Sequence, residues 1–265
     1  MALVIGASEG IGRATAEKFV RNGMNVVVFS RRKEVCSAVA MELQQGSGRK
    51  ECAISVAGSI DSEEDLQMAV KETIKTYGRL DVLVNVAAAQ GAGTVMDAMP
   101  EDYEKMFRVN LMGYGLSAKA AIPELLKSEH PAIVNIASLN GCIGVPNRLI
   151  YNCTKAAVIE MTQCIACDFP SIRTNCISPG FTASESMMTG LSVTGIAPEQ
   201  CEKLISSGTL MKRMAKPEEI ANIVAFLASD EASYITGQNI IADGGALCFG
   251  NYDYEMTKFL REKKD

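Results

Sequence analysis

The sequence predicts an α/β fold in which helices cover both faces of a doubly wound parallel sheet. Three observations lead to this prediction. Short apolar runs such as "ALVI" and "NVVVFS" show no polar alternation, which is typical of strands buried on both faces. Segments with helical periodicity separate these runs. A glycine-rich loop connects the first run to the first helical segment, as at the start of a βαβ unit.

Strands and helices alternate along nearly the whole chain. The predicted strands, in order, are "ALVIG", "NVVVFS", "ECAISVAG", "LDVLVNVA", "AIVNIAS", "IRTNCISPG" and "GQNIIADGG". The predicted helices, in order, are "GRATAEKFVRNG", "CSAVAMELQQG", "SEEDLQMAVKETIKTYG", "PEDYEKMFRVNLMG", "GLSAKAAIPELLKSE", "YNCTKAAVIEMTQCIACDF" and "PEEIANIVAFLAS". This alternation favours a parallel sheet over an antiparallel one.

One domain spanning residues 1–265 is predicted, since the chain has no Ser/Pro-rich linker, repeat or low-complexity segment. Two segments interrupt the alternation. The first, residues 181–200, is long, rich in small residues and contains methionine, as expected of a mobile lid over a substrate. The second, residues 251–265, alternates charged and aromatic residues and is predicted to be an exposed tail.

Composition excludes several classes of protein. The formal charge of −5 argues against a nucleic-acid partner. No apolar run reaches the length of a membrane span, and the first residues do not resemble a signal peptide. The nine cysteines are scattered, and Cys164 and Cys167 fit the apolar positions of a helix better than a redox or metal site, so no metal is expected. A reducing cytoplasm suits this composition best.

The loop "GASEGIG" predicts a site for the phosphates of a dinucleotide. Gly6 permits the tight turn, Gly10 allows the backbone to approach a pyrophosphate, and Gly12 lets the helix pack close to the strand. The helix N-terminus adds amide hydrogens and a positive dipole end. The remaining predicted cofactor contacts of the loop are Ser8, Glu9 and Ile11.

Tyr151 and Lys155 lie four residues apart, so they share one face of a predicted helix. Such a pair is also compatible with a solvated helix face, and the spacing recurs at Tyr254 and Lys258 in the tail. The spacing alone therefore does not distinguish a functional pair from a chance one.

Several motifs in consistent order resemble the short-chain dehydrogenase/reductase family across nearly the whole chain. The first two glycines are separated by three residues, as in that family. The other matching segments are "LVNVAA", "FRVNLMG" with Asn110, "IVNIAS" with Ser138, the Tyr151–Lys155 pair, and "SPGF" with "IADGG". Ser138 precedes Tyr151 by thirteen residues, the usual gap of the family. The resemblance therefore singles out Tyr151 over Tyr254.

The resemblance implies a Rossmann-type fold and hydride transfer between a nicotinamide and a carbonyl or alcohol. Tyr151 would be the general acid/base, with a pKa lowered by the Lys155 ammonium. Ser138 would orient the substrate oxygen, Lys155 would also hold the nicotinamide ribose, and Asn110 would support a proton-relaying water chain. Further cofactor contacts implied by the resemblance are Ser59, Ile60, Asn85, Ala87, Pro179, Gly180 and Thr182.

The sequence departs from the family pattern at three places that are expected to lie around the cofactor. Ile5 replaces a threonine before the first glycine, and Ser59 replaces an aspartate after the third strand. The usual "NNAG" segment reads "NVAA" from Asn85. These changes bear on cofactor affinity and leave the set of asparagine, serine, tyrosine and lysine intact.

The end of the second strand predicts NADP(H) in preference to NAD(H). Enzymes that use NAD place an acidic residue there, whereas this chain has Ser30 followed by Arg31 and Arg32. A guanidinium can bind the ribose phosphate in bidentate fashion. Arg31 is the expected clamp, with Arg32 turned away, and Glu9 in the glycine loop weakens the preference. A solvated turn is the alternative interpretation of the two arginines.

The leading hypothesis is an NADP(H)-dependent reductase of a small-molecule ketone or aldehyde, or an alcohol dehydrogenase in the reverse direction. Within this chemistry, 3-oxoacyl, steroid, sugar and diketone substrates remain open. A cofactor-binding scaffold or sensor with little turnover is the alternative from outside the enzyme class. A homo-oligomer, expected to be a tetramer, is predicted from the family and from the apolar faces of two helices. No membrane association is expected.

Overall fold

The computed structural model describes residues 1–185, 187, 203 and 206–248. In this part of the chain, seven strands form one parallel sheet in the order β3-β2-β1-β4-β5-β6-β7. The strands are β1 (Ala2–Ile5), β2 (Val26–Ser30), β3 (Ala53–Ala57), β4 (Val82–Asn85), β5 (Ala132–Ile136), β6 (Arg173–Pro179) and β7 (Asn239–Ala242). The predicted doubly wound α/β fold is confirmed.

Seven longer helices in the described ranges connect the strands. They are α1 (Gly10–Arg21), α2 (Lys33–Ser47), α3 (Glu63–Tyr77), α4 (Pro100–Phe107), α5 (Gly113–Leu125), α6 (Leu149–Asp168) and α7 (Pro217–Ala228). One turn of π-helix (Arg108–Met112) joins α4 to α5, and a short 3₁₀ turn (Leu139–Gly141) follows β5. The two helical segments predicted before β5 are therefore continuous through a π-helical turn.

Two hydrophobic cores lie on opposite faces of the sheet. Successive residues of β1 contribute to different cores, since Ala2 and Val4 belong to one and Leu3 and Ile5 to the other. Residues of α1, α2 and α7 complete the first core, and residues of α3, α5 and α6 complete the second. Because both faces are covered, the strands are apolar throughout, which explains the absence of polar alternation in the sequence.

The direction of winding changes beside β1, which lies between β2 and β4. In this register, Ile5 pairs with Phe29 of β2 and with Asn85 of β4. The carboxyl ends of β2, β1 and β4 therefore lie side by side at the same edge of the sheet. Crevices at such switch points, outside the carboxyl ends of the strands, are where open α/β sheets bind ligands.

Two predicted segments fall largely outside the described residues. Most of the predicted lid, from position 188 to 200, lies there, as does the whole predicted tail of residues 251–265. Within the described ranges, no helix is long and apolar enough to cross a bilayer. The eight cysteines of these ranges are all free thiols.

Candidate active site

A cleft of about 1190 Å³ lies along the carboxyl ends of the strands. Its walls contain most of the residues predicted for the site. These are Gly6, Ser8, Glu9, Gly10, Ile11, Ser30, Arg31, Arg32, Ser59, Ile60, Ala87, Ser138, Tyr151, Lys155, Pro179, Gly180 and Thr182. Three predicted residues, Gly12, Asn85 and Asn110, do not line it. The glycine loop and the Tyr151–Lys155 pair thus share one cleft.

The glycine loop needs its glycines for steric reasons. Gly6 has a φ of +90°, and a Cβ there would lie 2.5 Å from the amide nitrogen of Ala87. A Cβ on Gly12 would lie 2.1 Å from the carbonyl oxygen of Gly6. Gly12 therefore supports the loop from behind rather than lining the cleft. Helix α1 begins at Gly10, so its N-terminal amides face the cleft floor where a phosphate would be stabilised.

An ion pair crosses the glycine loop. Arg32 donates to Glu9 Oε2 at 2.5 Å and to Ser8 Oγ at 3.2 Å. The prediction that Arg32 turns away from the cleft is therefore wrong. A carboxylate in the loop attracts the nearest guanidinium, and Arg32 reaches it from the end of β2. Arg31 also lines the cleft and is exposed.

The loop after β3 contributes a second polar cluster. The Ser59 hydroxyl donates to Asp61 Oδ1, and Arg108 lies 3.5 Å from the other carboxylate oxygen. The hydrogen bond from Ser59 lowers the pKa of Asp61 most, against a smaller opposing effect of burial. Sequence reasoning missed Asp61 and Arg108, which both line the cleft. The aspartate two residues after Ser59 was the available signal.

Ser138 and Tyr151 both line the cleft, and the Ser138 side chain is near enough to Tyr151 to lower the pKa of the phenol. Ser138 lies two residues after the end of β5 and caps the 3₁₀ turn, where its Oγ accepts a hydrogen bond from the amide of Asn140 at 3.2 Å. Tyr151 stands in the first turn of α6. The two hydroxyl groups therefore come from different elements and can contact one substrate oxygen.

Burial raises the pKa of Tyr151, and the nearby Ser138 side chain and the charge of Arg148 counteract part of this effect. The sequence led us to expect a pKa lowered by Lys155. The structure differs because removing the phenolate from water outweighs both favourable contacts.

Lys155 is fully buried one helical turn after Tyr151. Its Nζ donates to the carbonyl oxygen of Ile136 at 2.7 Å and lies 5.3 Å from the ring centre of Tyr114 and 5.9 Å from that of Tyr151. Burial lowers the pKa of Lys155 to about 7. Both the ammonium and the amine are therefore populated near neutral pH.

Asn110 is buried in the π-helical turn and holds the backbone after β4. Its Oδ1 accepts from the Ala89 amide at 2.7 Å, while Nδ2 donates to the Ala89 carbonyl at 2.9 Å and to Thr154 Oγ1 at 3.0 Å. Its side chain thus links the loop after β4 to α6, one residue before Lys155.

Asn85 also lies beneath the cleft, in a chain of buried polar groups. Its Nδ2 donates to Asn135 Oδ1 at 2.9 Å, and its Oδ1 accepts from the Ser117 hydroxyl at 2.7 Å. Both ends of the amide are therefore occupied within the protein. Ala87, two residues further along the chain, lines the cleft, whereas Asn85 does not.

The loop after β6 closes the cleft on the other side. Gly180 donates its amide hydrogen to the Ala242 carbonyl at 2.9 Å, and a Cβ on it would lie 2.8 Å from the Asp243 backbone. Thr182 is buried and forms an isolated β-bridge with Ala215. These contacts hold the "SPGF" segment next to the ends of β6 and β7.

Comparison with known proteins agrees with this geometry. The family model described as enoyl-(acyl carrier protein) reductase matches residues 6–246. An uncharacterized oxidoreductase of Thermotoga maritima is 36% identical over 246 residues, which cover 92% of this chain and 96% of that protein. The chain belongs to the short-chain dehydrogenase/reductase family.

Two further relatives give the family assignment its context. A 3-oxoacyl-[acyl-carrier-protein] reductase, FabG, of Thermotoga maritima is 32% identical over 245 residues, covering 92% of this chain and 96% of that protein. The crystal structure of YwfH, an NADPH-dependent reductase involved in bacilysin biosynthesis, superposes with a TM-score of 0.87 at 31% identity. This match covers 92% of this chain and 97% of YwfH. Both the sequence and the fold therefore support the assignment to the short-chain dehydrogenase/reductase family.

Sequence reasoning missed two residues beside the catalytic candidates of this short-chain dehydrogenase/reductase. Tyr114, in the first turn of α5, is fully buried and donates to the carbonyl of Ile136 at 3.2 Å. Arg148 immediately precedes α6, lines the cleft and donates to the carbonyl of Gly91 at 3.1 Å. Its position three residues before Tyr151 was a usable signal, whereas no sequence signal marked Tyr114.

Proposed function

We propose that this oxidoreductase reduces a ketone or aldehyde with NADP(H), or oxidises the corresponding alcohol, with Tyr151 as general acid/base. The observation that carries the proposal is that Ser138 and Tyr151 lie close to each other in the cleft that also contains the glycine loop. The two hydroxyl groups suit one carbonyl oxygen, on which negative charge develops during reduction.

The residues of the cleft fit a dinucleotide. The steric need for glycine at positions 6 and 12 and the start of α1 at Gly10 support a phosphate site in the loop. The nicotinamide supplies the hydride. Tyr151, held protonated by its raised pKa, donates the proton, and Ser138 keeps the substrate oxygen beside it. Lys155 lies one helical turn after Tyr151 and can supply positive charge and exchange a proton near pH 7.

NADP(H) is the proposed cofactor because of the charges near the end of β2. Ser30, Arg31 and Arg32 line the cleft there, and Arg32 already compensates the charge of Glu9. Glu9 was the feature that opposed NADP(H) in the sequence, so its neutralisation by Arg32 supports the proposal. The name of YwfH, an NADPH-dependent reductase, points in the same direction.

A scaffold or sensor with little turnover is the competing function. The presence of Ser138 and Tyr151 together in the cleft argues against it, since a protein that only binds the cofactor needs no proton donor beside a substrate oxygen. Reduction of 3-oxoacyl thioesters is one open substrate class, supported by the name of the FabG relative. A steroid or sugar substrate is compatible with the same chemistry.

A panel of carbonyl compounds tests the proposal. NADPH and NADH absorbance would be followed with neutral ketones, aldehydes, oxo acids and 3-oxoacyl thioesters. We expect turnover of at least one carbonyl with NADPH. Tight NADPH binding without turnover of any compound would favour the scaffold, and turnover of enoyl thioesters alone would exclude the proposed role of Ser138.

We further propose a homo-oligomer, expected to be a tetramer, that works in the reducing cytoplasm. Large apolar side chains are exposed near α4, including Met96, Met99 and Tyr103, and Met112 is exposed in the π-helical turn. Surface of this kind supports a contact with another copy of the chain. Sedimentation at micromolar protein tests this, and a pure monomer would contradict it.

A further inference from the structure

A cation stands next to the reacting hydroxyl groups in the cleft. Arg148 is partly buried, immediately precedes α6 and lies three residues before Tyr151. Its charge is close enough to Tyr151 to lower the pKa of the phenol against the effect of burial.

Most of the hydrogen-bonding capacity of Arg148 is unused by the described residues. Its one hydrogen bond to these residues runs from Nη1 to the carbonyl of Gly91 at 3.1 Å, although a guanidinium has five N–H donors. By contrast, Arg173, which is also partly buried, donates to three backbone carbonyls. Arg148 therefore has donors to spare where it lines the cleft.

No carboxylate among the described residues pairs with Arg148 within 4.0 Å. Two carboxylates, Glu101 and Glu104, lie on the rim of the same cleft, but both are exposed and neither bridges to it. Arg32 and Arg108, the cleft arginines nearer the proposed adenosine end, do pair with Glu9 and Asp61. Arg31 and Lys105 also line the cleft without a carboxylate partner in the described part of the chain, but both are exposed, whereas Arg148 is partly buried and lies near Tyr151.

We propose that Arg148 binds a carboxylate group of the substrate, so that the substrate is a small oxo acid. This inference rests on the proposed function, because the carbonyl is placed at Ser138 and Tyr151. Because Arg148, Ser138 and Tyr151 line the same cleft, one small molecule can present a carboxylate to the arginine and a carbonyl to the two hydroxyl groups. A guanidinium matches the planar carboxylate in bidentate fashion.

The surroundings of Arg148 suit the rest of such a molecule. Leu139, Val145 and Pro146 line the cleft around the two hydroxyl groups and offer apolar contacts. The contact with Gly91 fixes the guanidinium, and the adjacent backbone is fixed by hydrogen bonds from the Gly93 amide to Asn147 and from the Leu149 amide to Gly93. A pre-positioned cation binds an anion with a smaller entropy cost.

Comparing an oxo acid with its methyl ester tests whether the enzyme recognises the carboxylate charge, because both compounds carry the same reducible carbonyl. The probes are benzoylformate and levulinate, each against its methyl ester, with NADPH as cofactor. Of the two acids, the one that the native enzyme turns over more efficiently should have a kcat/KM at least tenfold higher than that of its own methyl ester, chiefly because its KM is lower. Arg148→Gln keeps a donor for the Gly91 carbonyl and removes the charge, so the ratio should fall to about one. Arg148→Lys should retain an intermediate preference.

Arg21→Gln is the matched control, because Arg21 is exposed at the far end of α1 and pairs with Glu17. It should leave the acid-to-ester ratio at the native value. Equal kcat/KM for acid and ester in the native enzyme overturns the inference, as does a ratio that Arg148→Gln does not change. Turnover of neutral ketones with no preference for acids would overturn the inference and leave the proposed function intact.

Calorimetry tests carboxylate binding by Arg148 independently of turnover. A failure to reduce any carbonyl would count against the proposed function but would leave this test in force. Benzoylformate would be titrated into the native protein and into Arg148→Gln, with and without NADP⁺. We expect binding at least tenfold weaker in the variant. Equal affinities, or no binding to the native protein, overturn the assignment of Arg148.

Discussion

Lys155 and Tyr114 donate hydrogen bonds to the same backbone carbonyl, that of Ile136, at 2.7 and 3.2 Å. Both residues are fully buried, and the lysine Nζ lies 5.3 Å from the centre of the Tyr114 ring. Ile136 is the last residue of β5, two positions before Ser138. The lysine is therefore anchored to the strand that carries the serine, and α5 supplies the ring beneath it.

Two variants separate the hydroxyl of Tyr114 from its ring. Tyr114→Phe should lower the free energy of unfolding by only about 1 kcal/mol, because the Ile136 carbonyl keeps Lys155 as a donor. Tyr114→Leu also removes the ring, leaves a cavity under the ammonium and should cost roughly 2 kcal/mol more. Urea denaturation measures both. Equal losses in the two variants would contradict this role of the ring, and Tyr234→Phe, at a fully exposed position, is the control.

The buried lysine should make stability depend on pH. The pKa of Lys155 is about 7 in the folded protein, against 10.5 for an ordinary lysine. Between these values the unfolded chain binds the extra proton, so the folded state gains stability as the pH rises. The destabilisation caused by burying the ammonium is largest at and below pH 7, and it disappears as the pH approaches 10.5.

Lys155→Met tests this because the variant lacks the titrating group. We expect the free energy of unfolding of the native protein, relative to the variant, to increase from pH 7 toward alkaline pH. Comparing the two proteins at each pH cancels the titration of other groups. A difference that stays constant or decreases would show that burial does not depress the lysine pKa.

The cofactor preference should be reversed by changing the end of β2. Ser30→Asp combined with Arg31→Ala introduces the carboxylate that accepts from ribose hydroxyls and removes one cation. We expect the native enzyme to favour NADPH over NADH by tenfold or more in kcat/KM, equivalent to about 1.4 kcal/mol, and the double variant to lose this preference. A native preference for NADH, or an unchanged ratio in the variant, would refute the role of this turn.

The ion pair between Arg32 and Glu9 predicts a separate effect. Glu9→Gln should release Arg32 and remove a negative charge, so NADPH should bind severalfold more tightly while NADH binding changes little. Added salt should reduce the difference, since Arg32 is exposed and Glu9 is partly exposed. Fluorescence titration measures the affinities. Glu72→Gln, which removes the partner of Lys75 on α3, should have no effect. Tighter binding of both cofactors alike would argue against release of Arg32.

Linear patterns predicted the fold and the core of the site. Continuous apolar runs identify buried parallel strands, and the thirteen-residue gap between Ser138 and Tyr151 spans the loop from β5 to α6. Lys155 follows because one helical turn keeps it on the face of Tyr151. Such signals depend on local geometry, which a sequence encodes directly.

Other features depend on packing that the sequence does not display. Tyr114 reaches Ile136 across the interface between α5 and the sheet, and Arg32 turns toward Glu9 across twenty-three positions. Asn85 and Asn110 were predicted from motif matches alone, and both have amides used within the protein below the cleft. Motif identity locates such residues but does not determine the direction of their side chains.

The most direct test is the rate of NADPH-dependent carbonyl reduction by Tyr151→Phe, measured together with its NADPH affinity. The variant keeps the ring beside Lys155 and loses the one group proposed to donate the proton. We predict a loss of turnover of at least a hundredfold, with NADPH affinity within a few-fold of the native value. Tyr234→Phe should retain native turnover. Near-native turnover by Tyr151→Phe would contradict the central claim that this tyrosine is the general acid.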